Sequence, residues 1–368
     1  MRRKKIVIFS IILIILISGY LSIQGLDNNY FWDDEAATAI FARNLIRFGE
    51  LTGWDGRNLF SFRGGLILDQ NFINKFDSPL QFVVTALSFE IIGESTFSAR
   101  IIFVLFGIFS LVLFYLIVSL EFKNQGDLKL FAILLFAFSP SFLLFIRQCH
   151  YYSLVLFFSL FTYYQYKKYL STKNILYLGL TVIGFIGLFL SHYLISLAFG
   201  IAIIGLHLKY YLKQRPIYPY LIAGSVIISL IAIYINVYQV IIPESHREFN
   251  IEWLTNKGIL LVGYFRDINA YTWFPWVMFI CFLWLAFGKI INPVLKRKLR
   301  EFGIFSLIYI IMVVLLYPVP VRTYGLVDIR YILPLLPFFC ILSGVILSYL
   351  KNKSYLVAII VIGLLLFT

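Results

Sequence analysis

Read for its apolar and polar positions, the chain is a succession of long apolar runs separated by short charged breaks. A helix needs about 20 residues to cross a hydrocarbon core roughly 30 Å thick. Runs of that order fall at 6–23, 98–120, 128–146, 151–166, 175–190, 193–208, 217–242, 272–291, 303–319, 331–350 and 355–368. They predict an all-α polytopic membrane protein of about 11 transmembrane helices. The Ser78–Ile92 stretch is too short and polar for a span and is expected in the membrane interface. Arg2–Lys5 and the apolar stretch after them resemble a signal peptide, but the stretch is long and no small-x-small site follows, so it reads as a retained first span.

Composition removes the alternative of a water-soluble fold. Hydrophobic residues make up 61% and charged residues 13% of 368 positions, with mean hydropathy +0.89. Soluble domains hold about 45–50% apolar and about 25% charged residues. No linker or repeat divides residues 1–368, so a single transmembrane domain is expected. The net charge of +13 points to nucleic acid only until it is distributed over the loops. With the N-terminus in the cytoplasm, 19 basic and 3 acidic residues lie inside, and 12 basic and 15 acidic residues outside. That is the positive-inside pattern of a multi-pass plasma (inner) membrane protein, and it removes the nucleic-acid reading. Three scattered cysteines and four histidines without ligand spacing give neither a disulfide framework nor a metal site.

The loops are unequal. Inner connections are short and basic, whereas two outer regions are large: 24–97 and 243–271. Long ordered loops are usually functional, so the chemistry is expected outside. The first loop carries a juxtamembrane amphipathic pattern. From Asp33, the positions Ala37, Ile40, Phe41, Leu45 and Phe48 recur at helical spacing, and Gly49 stands where such a helix stops. Asp33, Asp34 and Glu35 thus begin a helix of about 15 residues. Two readings stay open from the residues alone. The acids are a cap and first-turn charges worth roughly 1 kcal/mol, or one is a carboxylate base held at the membrane surface.

The order of short motifs bears on that choice. Trp32-Asp-Asp-Glu-Ala follows the first span; Ser78-Pro-Leu and Phe89-Glu-Ile-Ile-Gly-Glu-Ser-Thr-Phe-Ser-Ala-Arg-Ile lead into the second. Later come Arg147-Gln-Cys-His-Tyr-Tyr-Ser-Leu, Ser191-His-Tyr and Asp328-Ile-Arg-Tyr-Ile-Leu-Pro. In this order they resemble the glycosyltransferase family 39 group of the GT-C superfamily, which includes protein O-mannosyltransferases and aminoarabinose transferases. The resemblance implies a GT-C-type fold. It implies that Asp34 is the catalytic base, with Glu35 beside it and Asp33 as fallback. Asp77 stands where relatives often carry His or Lys before Pro-Pro-Leu, and His150 where they commonly carry Arg.

The implied reaction transfers a sugar from a polyprenyl-phosphate carrier to an acceptor hydroxyl on a lipid, glycan or protein, with inversion. A lipid phosphate calls for guanidinium or ammonium groups near the membrane surface. Arg147, His150, Tyr151, His192, Arg322, Arg330 and Tyr331 fall at outer span ends and form the expected phosphate or substrate set, with Asp77; for each alone, snorkelling at a helix end is the plainer reading. No cofactor is demanded, although Asp33, Asp34 and Glu35 could hold a divalent cation. The main rival is a transporter or lipid flippase, which should carry charged or broken helices at mid-bilayer.

Overall fold

A computed structural model describes residues 2–60, 62–212, 218–238, 251–271, 293–317 and 329–367. The apolar runs become helices because a backbone in hydrocarbon must satisfy its own hydrogen bonds. In chain order they are α1 (Arg2–Ile23), α2 (Asp33–Phe48), α3 (Leu80–Ile92), α4 (Thr96–Glu121), α5 (Gly126–Ala137), α6 (Pro140–Ile146), α7 (Tyr152–Thr172), α8 (Ile175–Ser191) and α9 (Tyr193–Tyr210). Then follow α10 (Tyr218–Tyr238), α11 (Ile251–Tyr271), α12 (Pro293–Leu316), a 3-10 turn (Ile329–Leu335), α13 (Leu336–Lys353) and α14 (Tyr355–Phe367).

Helices stand at ten of the eleven expected places; the run at 272–291 lies outside the described residues. Among the described helices, five are long and apolar enough to cross a membrane, or six if α5 and α6 form one span bent by 53° at Pro140. The protein is a multi-pass helical membrane protein, and its spans are less uniform than the sequence suggests. α8 is short because His192 breaks it from α9, and α7 turns Tyr163, Gln165, Tyr166 and Lys167 into the bundle, which dilutes its apolar character. Residues 251–271, within the second large outer region expected from the sequence, form helix α11. Leu260 and Tyr264, four residues apart on one face, are buried in the main core, and Lys257 donates to Val314 O and Tyr317 O at the end of α12 (2.8 and 2.7 Å).

Side-chain contacts bring alternate helix ends together. At one end lie the C-terminus of α1 and the starts of α2, α4, α7, α9 and α13; at the other lie Glu121, Lys167, Tyr211 and Glu301. α13 is the most enclosed span, and Gly344 permits it: a Cβ there would stand 2.9 Å from Leu128 O of α5.

The segment between α2 and α3 folds over the first of these ends. Gly49, in the left-handed region (φ 76°), terminates α2 where expected. Beyond it, Asn44 of α2 donates to Thr52 O (2.7 Å) and Trp54 O (3.2 Å), while Phe41, Leu51, Ile67 and Phe82 form a small separate core. Asp55, Asp69 and Asn74 accept backbone N–H groups two to four residues downstream, so the turns are held by side chains. N–H groups of Asn58 and Arg57 hold the Asp55 carboxyl below its ordinary value. Burial, the largest influence on Asp69, acts upward, yet the N–H groups of Ile73 and Asn71 with Lys75 hold its carboxyl low.

Candidate active site

The acids opening α2 do not cap it. Its N-cap is Trp32, which makes no side-chain cap bond. Successive residues on a helix point about 100° apart, and Asp34 and Glu35 accordingly meet different arginines.

Glu35 is 2% exposed and fully engaged. Arg100 grips it with Nε on Oε1 (2.8 Å) and Nη2 on Oε2 (2.7 Å), and the Cys149 N–H adds a second bond to Oε1 (2.8 Å). The same guanidinium donates to Leu26 O (2.6 Å), Asn29 O (3.0 Å) and Tyr30 O (3.1 Å). All five of its N–H donors are thereby used. This knot ties the α1–α2 connection, the start of α2, α4 and the α6–α7 turn into one piece. The Cys149 thiol is buried against it, and burial pushes its pKa up.

Asp34 faces the other way and is 9% exposed. Its Oδ2 accepts from Arg330 Nη1 at 2.7 Å and lies 3.9 Å from His150 Nε2, while Oδ1 has no hydrogen-bond partner among the described residues. Arg330 Nη1 also donates to Tyr152 Oη (2.6 Å), and its guanidinium stands 5.8 Å from the centre of that ring. Thr38 Oγ1 donates to Asp34 O (2.9 Å) and meets His150 Nδ1 at 3.2 Å. The contact with Thr38 holds the ring with its Nε2 on the side of the carboxylate.

An aromatic wall continues from this pair. Ring centres run from His150 to Tyr151 (4.4 Å), to His192 (4.5 Å), to Tyr331 (5.3 Å) and on to Tyr317 (5.1 Å). His192 is also the N-cap of α9, accepting from Ile195 N–H at 3.4 Å. Tyr309 donates to Tyr331 O (2.6 Å) and steadies the turn that carries Arg330. Asp77 accepts from Asn74 Nδ2 (3.0 Å), and its neighbour Ser78 accepts the Tyr193 N–H (3.2 Å), which brings the Asp77 segment to the start of α9.

Of the residues expected from sequence, the fold gathers Asp34, His150, Tyr151, His192, Arg330 and Tyr331, with Asp77 at the margin. It sets three apart. Glu35 is taken up by Arg100; Asp33 is exposed; Arg147 caps α1, donating to Leu21 O (3.0 Å) and Gln24 O (2.7 Å). Arg322 and Asp328 lie outside the described residues. The three acids of α2 do not converge, and among the described residues no three His, Cys, Asp or Glu side chains do. Sequence reasoning missed Tyr152, Thr38 and Arg100. Arg100 had a signal: a charge one turn inside an apolar span must have a partner.

No family model and no curated protein matches the sequence. Solved structures do match. ArnT from Cupriavidus metallidurans in the apo state superposes with TM-score 0.65 at 16% identity, covering 95% of this chain and 61% of that one. The chain has the fold of ArnT. The same ArnT bound to undecaprenyl phosphate superposes at 0.64 and 17% identity, covering 95% and 62%. This is the GT-C-type fold implied by the motif order, and the chain spans about three fifths of the length of ArnT.

Proposed function

We propose that this protein is an integral-membrane glycosyltransferase that moves a sugar from a polyprenyl-phosphate donor to an acceptor hydroxyl, with Asp34 as the base. The observation carrying the proposal is the half-satisfied carboxylate of Asp34, bonded through one oxygen to Arg330 at the mouth of a bundle whose fold ArnT shares. That ArnT has been solved with undecaprenyl phosphate supports a lipid phosphate as the leaving group. The basic opposite end and the positive-inside pattern support an extracytoplasmic site in a plasma membrane, with the N-terminus in the cytoplasm.

In this reading the donor phosphate competes for the Arg330 fork and draws it from Asp34 Oδ2. The freed carboxylate takes the proton of the acceptor hydroxyl. The acceptor oxygen forms its bond to the anomeric carbon as the bond from that carbon to the phosphate oxygen breaks, and the electron pair leaves with the polyprenyl phosphate. One displacement inverts the anomeric centre. Tyr152 keeps Arg330 aligned, and His150 supplies a second polar contact beside the carboxylate. Tyr151, His192 and Tyr331 line the substrate, Asp77 stands at its edge, and Glu35 with Arg100 holds Asp34 in place. Arg147 steadies the end of α1, and Asp33 meets solvent at the acceptor side.

The test is release of free polyprenyl phosphate from a panel of radiolabelled polyprenyl-phosphate sugars by the purified protein. The expected result is release by the wild type with an inverted product, and loss by about 10²- to 10⁴-fold on Asp34→Asn. Full activity of that variant removes Asp34 as base; a retained anomeric configuration removes the single displacement.

A further inference from the structure

Two amides near the site are unaccounted for. Gln81 is 3% exposed, and its Oε1 is buried without a hydrogen-bond partner among the described residues; Gln148 Oε1 shares that condition. Native proteins rarely leave such groups unpaired, and doing so costs about 5- to 150-fold in a folding equilibrium. A ligand that completes the bond accounts for their retention.

Neighbours give the direction of Gln81. It lies one turn before Thr85 on the same face of α3. Thr85 donates to Gln81 O (2.8 Å) and its Oγ1 lies 3.6 Å from Cys149 Sγ, in the turn that carries His150 and Tyr151. Three residues before Gln81, Ser78 accepts the N–H of Tyr193, next to His192. Gln81 therefore lies on the face of α3 that Thr85 packs against the Cys149 turn, three residues from the contact of Ser78 with the start of α9; those two segments carry the Tyr151 and His192 rings, 4.5 Å apart. Gln148 belongs to the same turn.

We propose that Gln81 is a specificity residue that hydrogen-bonds one hydroxyl of the transferred sugar. This rests on the transferase reading and deepens it. An amide both donates and accepts, as a hydroxyl does, and it is neutral, so it suits a sugar better than a phosphate. Aromatic walls with a few convergent polar groups are the usual make-up of a small-molecule site. Gln81 reads the sugar from the α3 side, while Asp34 approaches from α2.

The experiment uses the full chain in lipid nanodiscs, the polyprenyl-phosphate sugar that it transfers, and the monodeoxy analogues of that sugar. Wild type is expected to lose about 5- to 150-fold in kcat/KM on removal of one particular hydroxyl. In Gln81→Met that one preference collapses and the preferences at other hydroxyls persist. The melting temperature of this variant is no lower than that of wild type, because it removes an unpaired group. Gln81→Glu, which keeps an acceptor oxygen, retains part of the preference. Equal losses of Gln81→Met on every analogue, an unchanged preference, or a fall in melting temperature (as a structural water would give) each overturn the assignment. If wild type releases no polyprenyl phosphate from any donor, the transferase reading itself fails; if it transfers and only Gln81→Met behaves otherwise than stated, that reading stands without Gln81.

Discussion

The two ends of the bundle handle charge in opposite ways. At the end away from α2, Lys167 Nζ meets Glu121 Oε1 (2.9 Å), Glu301 Oε2 (3.2 Å) and Tyr211 Oη (2.8 Å). Lys298 takes Glu121 Oε2 (2.7 Å), Arg297 takes Glu301 Oε1 (3.2 Å), and the Tyr211 hydroxyl donates to Glu301 Oε2 (2.7 Å). Each carboxylate oxygen is engaged, and both glutamate side chains are 6% exposed. At the α2 end, Asp34 uses one oxygen and Arg330 is 24% exposed. The closed network joins α4, α7, α9 and α12 and leaves nothing for a ligand. The α2 pair is the less enclosed of the two, and it joins the start of α2 to the 3-10 turn before α13. Glu35 and Arg100, closed like the far network, show that both designs can stand one residue apart.

Substitutions can break this contrast, the largest effect first. Lys167→Met leaves two buried carboxylates without their shared cation, a loss of about 3–5 kcal/mol. Thermal unfolding in detergent should show a marked drop, with no donor-specific change in the activity that remains. Arg100→Met should cost a similar amount and also abolish transfer, since the knot holding Asp34 goes with it; restoring part of the stability by pairing it with Glu35→Leu would identify the stranded charge as the cause. Asp34→Asn should leave the melting temperature near wild type despite its loss of transfer. A drop as large as that of Lys167→Met would erase the distinction between the ends. Arg330→Lys keeps the charge but loses the fork, so KM for the donor should rise by about tenfold while the melting temperature holds.

The smallest effect concerns the turns over the site. Asp69 is held below the ordinary 3.8, so its contribution is present above that value and is lost as pH falls through its lower folded value. Protease protection of residues 50–75 should decline only below about pH 3.8, and Asp69→Asn, which still accepts hydrogen bonds, should lessen that decline, with Asp55 supplying the rest.

Much of this body was readable in the chain because apolar length and a stop glycine act locally: α2 begins at Asp33 and ends at Gly49 as expected. The part that Lys257 plays was not legible: it lies in the second large outer region, yet it is buried and caps another helix. The far network was hidden among ordinary basic loops, since Glu121, Lys167 and Glu301 come together only once the bundle forms. The division of labour between Asp34 and Glu35 was equally hidden. It depends on which arginine each meets, and those arginines lie 65 and 296 residues away.

That last separation has a consequence for biogenesis. Arg100 and Arg147 finish the tail of α1 soon after the early helices are inserted, but Asp34 waits for Arg330, 296 residues further on. A ribosome that stalls midway would release a membrane-anchored fragment in which Glu35 already has its arginine and Asp34 does not.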